Sequence, residues 1–343
     1  MTISGTGMMI TDNFYYNKNV VKKVVIGNGI TNIGKSAFEG CKYLTEIEIS
    51  ASVKSIGRYA FCKCTELESI VIPNNVTNME YGAFAYCPKL KNIVLSQNLK
   101  AIPEDCFRGC AIEKLTIPNS VTRIDNNAFT NCEYLEDILF VKGSGAITIG
   151  SAFYGCYSLK EVVLPENVKA LEMYAFGKCV ALEKVTILSE GLKSSEYCFD
   201  GCTSLSEITT FANYSCCWYL PQKVLLHIPY KYYYAYSTSS FNSYVKKYDF
   251  FYGVNTLPNA YGTIKVDTCY ASSGETVKIS VEPKPGYECT QLVLNSGKVA
   301  YKFPGQGKKK LAKSKGKAFI LPDNEFQMPN YEVTVSGFFE PKK

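Results

Sequence analysis

Residues 53–72 read VKSIGRYAFCKCTELESIVI, and versions of this stretch recur along most of the first 210 residues. Each copy carries a Phe in its middle and a Cys three residues later, followed by aliphatic residues at every second place. The repeated phenylalanines are Phe38, Phe61, Phe84, Phe107, Phe129, Phe153, Phe176 and Phe199. Successive copies lie 22 to 24 residues apart. A recurrence of this length and regularity is typical of a solenoid, in which every copy is one structural unit.

The apolar spacing inside one copy predicts a strand and a short turn of helix. Ile70 and Ile72 alternate with other residues, as in a short strand that buries one face. Phe61, Cys64 and Leu67 have near-helical spacing. A unit this small cannot bury its apolar face alone, so it must stack on its neighbours. The sequence therefore predicts an α/β repeat solenoid of eight units.

The stretch from Ile33 to Leu44, which reads IGKSAFEGCKYL, resembles the BspA-type leucine-rich repeats, and the match runs through all eight units. With its flanks the resemblance covers about residues 1–255. It implies opening and capping strands at 1–29, leucine-rich repeats at 30–210 and a C-terminal cap at 211–257. It also implies a bacterial surface or secreted protein, or a surface protein of a host-associated protist, that binds host proteins, matrix or other cells.

The repeats stop before residues 258–343, where strand patterns alternate with Gly and Pro turns. Strands are expected at 262–266, 274–281 and 331–339, which predicts a small all-β domain. Gly286-Tyr287 and the run Phe326-Gln327-Met328-Pro329 resemble the signatures of divergent internalin-type B repeats. That resemblance implies a spacer or a module for accessory contacts.

Basic charge is concentrated near the C-terminus. Residues 261–343 contain 13 Lys and 8 acidic residues, and eight of these lysines lie between Lys298 and Lys317 without an acidic residue. The candidate contacts for an anionic ligand there are Lys308, Lys309, Lys310 and Lys313. The alternative is a solvated loop. Aromatic residues are sparse in this run, so we expect no nucleic-acid partner.

A second candidate contact lies among the aromatic residues between 230 and 252. Its tyrosines are Tyr232, Tyr233, Tyr234 and Tyr236. Large rigid side chains with a polar tip are useful against proteins and sugars. The alternative is a cap, because the last coil of a solenoid must have its open apolar end covered.

The fifteen cysteines do not form a metal-binding pattern. Eight of them occupy one repeat position, where we expect buried thiols and few disulfide bridges. A bridge between Cys269 and Cys289 is left open, and Cys62-Lys63-Cys64 lacks the second ligand pair that a zinc site needs. We predict no metal and no cofactor.

Catalytic motifs are also missing from the sequence. The single His, His227, is expected to point outward from a strand, and there is no phosphate-binding loop or nucleophile elbow. No apolar run is long enough for a membrane helix, and no secretory leader follows Met1, so we expect the signal segment to be absent from this sequence. We expect no enzyme and no direct membrane insertion.

Together these observations predict a monomeric, non-catalytic binding or adhesion protein located outside the cell or on its surface. Its expected partners are host or microbial surface proteins, held by one face of the solenoid. The alternative is a glycan-binding surface protein that uses the tyrosine cluster or the lysine run.

Overall fold

The computed structural model describes residues 1–8, 19–212, 219–220, 222–229, 242–243, 245–256, 259–268, 270–295, 300–302, 320–321, 325–327 and 333–341. The chain divides into two compact units. The first comprises Met1–Leu226 with Ala235–Lys247, and the second comprises His227–Tyr234 with Tyr248–Lys343. The finer limits expected at residues 29, 210 and 257 stay predictions.

The first unit is a solenoid whose repeats contribute strands to two sets of parallel strands. We name the set formed by the alternating aliphatic residues sheet A. Its strands are Thr2–Ile3, Lys23–Ile26, Glu46–Ile49, Ser69–Val71, Asn92–Val94, Lys114–Ile117, Asp137–Phe140, Glu161–Leu164, Lys184–Ile187 and Glu207–Thr210. The strand Val224–Pro229 follows them along the chain. Paired residues are one repeat apart, as Lys184 and Glu207 show.

The second set, sheet B, is built from shorter strands that precede each repeated Phe. Its strands are Gly7–Met8, Ile30–Ile33, Ser55–Ile56, Asn78–Met79, Ala101–Ile102, Arg123–Ile124, Ile147–Ile149, Val168–Leu171 and Lys193–Ser194. Most apolar residues of both sheets point into the coil. In the sheet A strand Lys114–Ile117, for example, Leu115 and Ile117 are buried while Lys114 and Thr116 are exposed.

The repeated phenylalanines form a continuous stack along the axis of the solenoid. Ring centroids of successive phenylalanines are 5.1 to 5.8 Å apart, and their planes differ by 2° to 18°. All eight side chains are fully buried. Burial of one Phe side chain contributes roughly 1.5–3 kcal/mol to folding. The stack is therefore a main source of the stability of the solenoid.

The repeated cysteines are buried beside this stack, as predicted. Each thiol from the second repeat onward donates a hydrogen bond to the carbonyl oxygen of the Phe in the preceding repeat, with Sγ–O distances of 3.1 to 3.5 Å. Cys64 Sγ, for instance, lies 3.2 Å from Phe38 O. The thiol is a second donor to a carbonyl that also accepts a main-chain amide, as Phe38 O accepts Cys41 N at 3.1 Å, and an alanine or valine there would lack this second bond.

The helical turn predicted around each Phe does not form. No α-helix occurs among the described residues, and the segment consists of turns. Every second main-chain amide of the segment donates to a carbonyl oxygen of the next repeat and not to one of its own segment. Phe38 N donates to Ala60 O at 2.7 Å, and Gly40 N donates to Cys62 O at 2.8 Å. Residues such as Lys63, with a φ of 60°, interrupt helical geometry. The solenoid is mostly strand, so the α/β description is not confirmed.

Close contact between repeats makes Gly57 sensitive to substitution. A Cβ on Gly57 would lie 2.9 Å from backbone atoms of Ile33, Gly34 and Lys35, which cannot rotate away. We expect Gly57→Ala to lower the free energy of unfolding by about 1–3 kcal/mol, the usual cost of overpacking. The measurement is chemical unfolding followed by circular dichroism.

Gly191 provides the control for this prediction, because a Cβ there would meet nothing within 4 Å. Gly191→Ala should change the free energy of unfolding by no more than about 0.5 kcal/mol. Equal effects of the two substitutions would contradict the close approach at Gly57.

Most described residues of the second unit lie in strands. They are Tyr270–Ser272, Gly262–Val266, Thr276–Pro283, Tyr287–Asn295, Ala300–Lys302, Ile320–Leu321, Glu325–Gln327 and Val333–Pro341, together with the part of Val245–Thr256 that follows residue 247. The long strands 287–295 and 333–341 pair antiparallel, as do 262–266 and 279–283. A small all-β domain of the B-repeat kind stays a prediction.

Candidate functional site

The outward face of sheet A presents two columns of side chains along the solenoid. The first column comes from the first residue of each strand after the opening one: Lys23, Glu46, Ser69, Asn92, Lys114, Asp137, Glu161, Lys184 and Glu207. The second column stands two residues later in each strand: Val25, Glu48, Val71, Val94, Thr116, Leu139, Val163, Thr186 and Thr209. Since side chains alternate between the two faces of a strand, both columns point away from the core.

Four aliphatic side chains give the second column an apolar surface. Val71 is 62% exposed, Val94 53%, Leu139 58% and Val163 48%. They belong to the fourth, fifth, seventh and eighth strands of sheet A, and Thr116 occupies the strand between Val94 and Leu139. Aliphatic groups aligned on one open face form an exposed apolar patch, a feature found at interaction sites of other proteins. We call these four residues the apolar column.

Charged residues border the apolar column and pair between neighbouring repeats. Lys184 Nζ lies 3.2 Å from a carboxylate oxygen of Glu207, and Lys91 Nζ lies 3.0 Å from one of Glu113. Exposed ion pairs of this kind contribute little to folding stability. In protein interfaces, charged groups of this kind act mainly on the choice of partner and on the rate of association.

Charged residues also line a shallow depression of about 480 Å³ over the sixth to ninth strands of sheet A. Its walls carry four acidic and three basic side chains, namely Glu136, Asp137, Glu161, Glu183, Lys114, Lys160 and Lys184. A mixed set of charges on a flat surface suits a polar protein surface better than an enclosed small molecule. The depression lies beside the apolar column on the same face of sheet A.

A smaller depression, of about 200 Å³, lies on sheet B. Arg123 crosses it and its Nε is 2.6 Å from Asp125 Oδ1, while Glu104 and Glu172 also line it. The Arg123 guanidinium is therefore paired with the carboxylate of Asp125, which directly follows the same strand. This site has no apolar lining comparable with the apolar column.

Metal-binding and membrane-spanning features are not found in the described part of the chain. Within residues 1–8, 19–212 and the later described segments, no three His, Cys, Asp or Glu side chains are grouped so that they would hold a metal ion. No helix there is long and apolar enough to cross a bilayer.

The contact residues predicted from the sequence lie outside the described residues. These are Tyr232, Tyr233, Tyr234, Tyr236, Lys308, Lys309, Lys310 and Lys313. Cys269 is also outside them, so its bridge to Cys289 stays a prediction. The structure tests neither the tyrosine cluster nor the lysine run.

His227 lies in the strand Val224–Pro229, in which buried and half-buried residues alternate. Its Nδ1 is 3.0 Å from Asp249 Oδ2, and its side chain is half-buried on the side away from the buried Leu226 and Ile228. The predicted alternation is therefore confirmed. The contact with Asp249 was not foreseen, because 22 residues separate the two in sequence.

The apolar column was also missed by the sequence argument. Its signal is present, because Ile70-Val71-Ile72 and Ile93-Val94-Leu95 are unbroken aliphatic runs where an alternating pattern requires a polar residue in the middle. An aliphatic residue at the outward place of a strand predicts an exposed apolar patch.

Comparison with solved structures finds similarity to bacterial leucine-rich repeat proteins. A leucine-rich repeat protein from Bacteroides ovatus is 22% identical, with 69% of this chain and 67% of that chain covered and a TM-score of 0.47. A leucine rich cell surface protein from Faecalibacterium prausnitzii is 24% identical, with 66% and 65% covered and a TM-score of 0.38. The leucine-rich repeat protein of T. pallidum is 27% identical, with 44% and 71% covered and a TM-score of 0.40.

No curated protein sequence matches the chain. The family profile described as the BspA type leucine rich repeat region matches residues 8–136 and 141–217 in six copies. These residues make up more than half of the chain and contain seven of the eight predicted units in full. The chain belongs to the BspA type leucine-rich repeat family.

Proposed function

We propose that this chain is a non-catalytic binding or adhesion protein that holds a protein partner against the outward face of sheet A. The observation that carries the proposal is the apolar column, in which four aliphatic side chains are each about half exposed on an open face. Membership of the BspA-type family supports a binding role, since the resemblance implies binders of host proteins, matrix or other cells.

Sheet A is large enough for a specific protein interface. Its ten strands before Val224, spaced about 4.8 Å apart, extend over roughly 40 Å. A stable interface covers about 800 Å² on each partner, which several repeats supply together. Contact with the apolar column excludes water, and each half-exposed aliphatic side chain contributes on the order of 1 kcal/mol when covered.

The expected partner is a protein surface with apolar groups in its centre and charged groups of both signs at its edge. The apolar column would take the centre, and pairs such as Lys184–Glu207 would meet the edge. We place this partner among host or microbial surface proteins, with the chain outside the cell or at its surface as a monomer. Glycan binding by the tyrosine cluster or the lysine run stays the alternative.

A binding screen tests the proposal. The purified chain is passed over immobilised extracellular matrix proteins and mucins at low and at physiological salt, and bound protein is measured by surface plasmon resonance. We expect saturable binding to a protein that changes little with salt, because apolar contacts are not screened. Binding that disappears at physiological salt would favour the lysine run, and no binding to any protein would contradict the adhesion proposal for these partners.

A further inference from the structure

A cluster of one arginine and two tyrosines lies on the turns after sheet B in the second and third repeats. Arg58 and Tyr59 come from one repeat, and Tyr81 is the counterpart of Arg58 in the next. The Arg58 guanidinium carbon lies 5.1 Å from the ring centroid of Tyr59 and 4.7 Å from that of Tyr81. The two rings are 5.3 Å apart and nearly perpendicular, at 85°. The guanidinium therefore lies in a corner between two aromatic walls.

The charge of Arg58 is not neutralised by a neighbouring acid. No carboxylate of the described residues forms an ion pair within 4.0 Å of its side chain. The acidic residues nearby have other donors. Glu80 accepts the main-chain amide of Arg58 at 2.9 Å, and Asp105 accepts both the Tyr81 hydroxyl at 2.5 Å and Arg108 Nη1 at 3.3 Å. The exposed guanidinium keeps its N–H donors for an external acceptor.

The aromatic walls are held in place by specific contacts. The hydrogen bond to Asp105 fixes the Tyr81 ring and, together with burial, raises the pKa of its hydroxyl. The Tyr59 ring packs on Gly82, where a Cβ would come within 2.7 Å of Tyr59 Cε1. Tyr59 itself has a φ of 56°, a left-handed conformation that costs a side chain roughly 1–2 kcal/mol. The same left-handed conformation recurs at this place of the turn in other repeats, as at Ser36 and Asp105, so it belongs to the turn itself and fixes the direction in which Tyr59 leaves it.

Further groups extend the cluster toward the fourth repeat. Arg108, which is bound to Asp105, lies 5.9 Å from the ring centroid of Tyr86, and this tyrosine is 46% exposed. The contacts therefore run without a break from Tyr81 through Asp105 and Arg108 to Tyr86. Two arginines and three tyrosines thus lie on the turns of the second to fourth repeats.

We propose that Arg58, Tyr59 and Tyr81 form a binding site for the carboxylate or sulfate group of an acidic polysaccharide. The planar guanidinium donates two parallel hydrogen bonds to such a group, and the rings keep its fork in the required orientation. Tyr86 offers an apolar ring face and a polar hydroxyl to the adjoining sugar. Arg58 belongs to the second repeat and Tyr86 to the third, so one linear polymer lying across these turns can contact both. This site uses no residue of sheet A, so it is independent of the proposed protein interface.

The test uses the full chain in a background of Lys308→Gln, Lys309→Gln, Lys310→Gln and Lys313→Gln, which removes the lysine run as a competing anion-binding segment. The probes are a heparin oligosaccharide, a polygalacturonate oligosaccharide and an uncharged chitin oligosaccharide, and affinity is measured by isothermal titration calorimetry. Arg58→Gln is expected to weaken binding of at least one acidic probe about 10- to 100-fold, as for the loss of a charge-assisted hydrogen-bonded pair.

Three further variants separate the planar donors of Arg58 from its charge alone. Arg58→Lys keeps the charge but loses the planar donors, so it should lose most of the affinity. Lys100→Gln removes one exposed positive charge elsewhere on the same solenoid and should change affinity by less than about twofold. Tyr81→Phe removes the bond to Asp105 and should weaken binding less than Arg58→Gln does.

Binding of heparin alone or polygalacturonate alone would support the site and identify its anion as sulfate or carboxylate. Equal affinity of Arg58→Gln and the parent chain, equal binding of the chitin oligosaccharide, or binding of inorganic sulfate without either acidic polymer would each overturn the proposal. The thermal unfolding midpoint of every variant is compared with that of the parent. If Arg58→Gln does not fold, weaker binding by Tyr81→Phe supports the site, and unchanged binding by Tyr81→Phe overturns the proposal.

Discussion

The solenoid should unfold as the pH rises above 9, because its buried thiols ionise only in the unfolded chain. Burial raises the pKa of Cys132 to about 12 and moves that of Cys106 in the same direction. In the unfolded state these thiols titrate near their ordinary value of 9.0. Above pH 9 the folded chain thus holds more protons, so its stability falls with rising pH by up to about 1.4 kcal/mol per pH unit for each such thiol.

Burial raises the pKa of several thiols of the cysteine series, so their contributions to the loss of stability at high pH add. Five of them would remove roughly 7 kcal/mol per pH unit, which approaches the whole stability of about 5–15 kcal/mol of an ordinary protein. The measurement is chemical unfolding at a series of pH values with a phosphine reductant present. A stability that stays constant between pH 8 and 10.5 would contradict the raised pKa values.

The variant Cys132→Ala provides a control for this pH dependence. It should be less stable than the parent at pH 7, since the Phe107 carbonyl loses the thiol that lies 3.3 Å away. Its stability should nevertheless fall less steeply above pH 9, by about 1.4 kcal/mol per pH unit, because one ionisable group is gone. Identical slopes would show that other groups cause the alkaline unfolding.

Replacing one phenylalanine in the middle of the stack should be the most damaging single substitution in the solenoid. The Phe129 ring lies between those of Phe107 and Phe153, with centroid distances of 5.4 and 5.2 Å, and it is fully buried. Phe129→Ala removes both ring contacts and leaves a cavity that the neighbouring repeats cannot fill. We expect the free energy of unfolding to fall by about 3–5 kcal/mol.

Tyr134 is the matched control, an aromatic residue of the same repeat that is 60% exposed. Tyr134→Ala should change the free energy of unfolding by less than about 0.5 kcal/mol. Both variants are compared by guanidinium unfolding followed by circular dichroism. Similar losses for Phe129→Ala and Tyr134→Ala would mean that the phenylalanine stack is not a main source of stability.

The regular period of the sequence predicted the coil and the strands of sheet A, because each depends on residues within one repeat. It predicted one strand in each unit, so the strands of sheet B were missed. The prediction of a helical turn was wrong for a reason that the spacing of apolar residues cannot show. Apolar residues three apart fit either a helix or a chain of turns, and the choice depends on where the amides bond. The amide of Phe38 bonds to Ala60 of the next repeat, which only the stacked structure reveals.

The candidate surfaces were less predictable than the fold. Val71 and Val94 could have been recognised as exposed, since they occupy the outward place between two core residues. The Arg58 cluster joins residues 23 positions apart, and the period does bring Arg58 beside Tyr81. The position of the guanidinium between two rings depends on side-chain rotamers and on the left-handed φ of Tyr59, which the sequence pattern does not encode.

The most direct test of the proposed binding face places charges on the apolar column. Val94→Glu with Leu139→Glu introduces two carboxylates there, and the control pair Met173→Glu with Val180→Glu does the same at exposed apolar residues outside the strands of sheet A. Each variant is measured against the protein partner found in the binding screen, with folding verified by circular dichroism. We predict that the column variant loses at least about tenfold in affinity, since two covered aliphatic groups are worth at least about 1.4 kcal/mol, while the control stays within about twofold. Equal affinity of the two variants would contradict binding through sheet A.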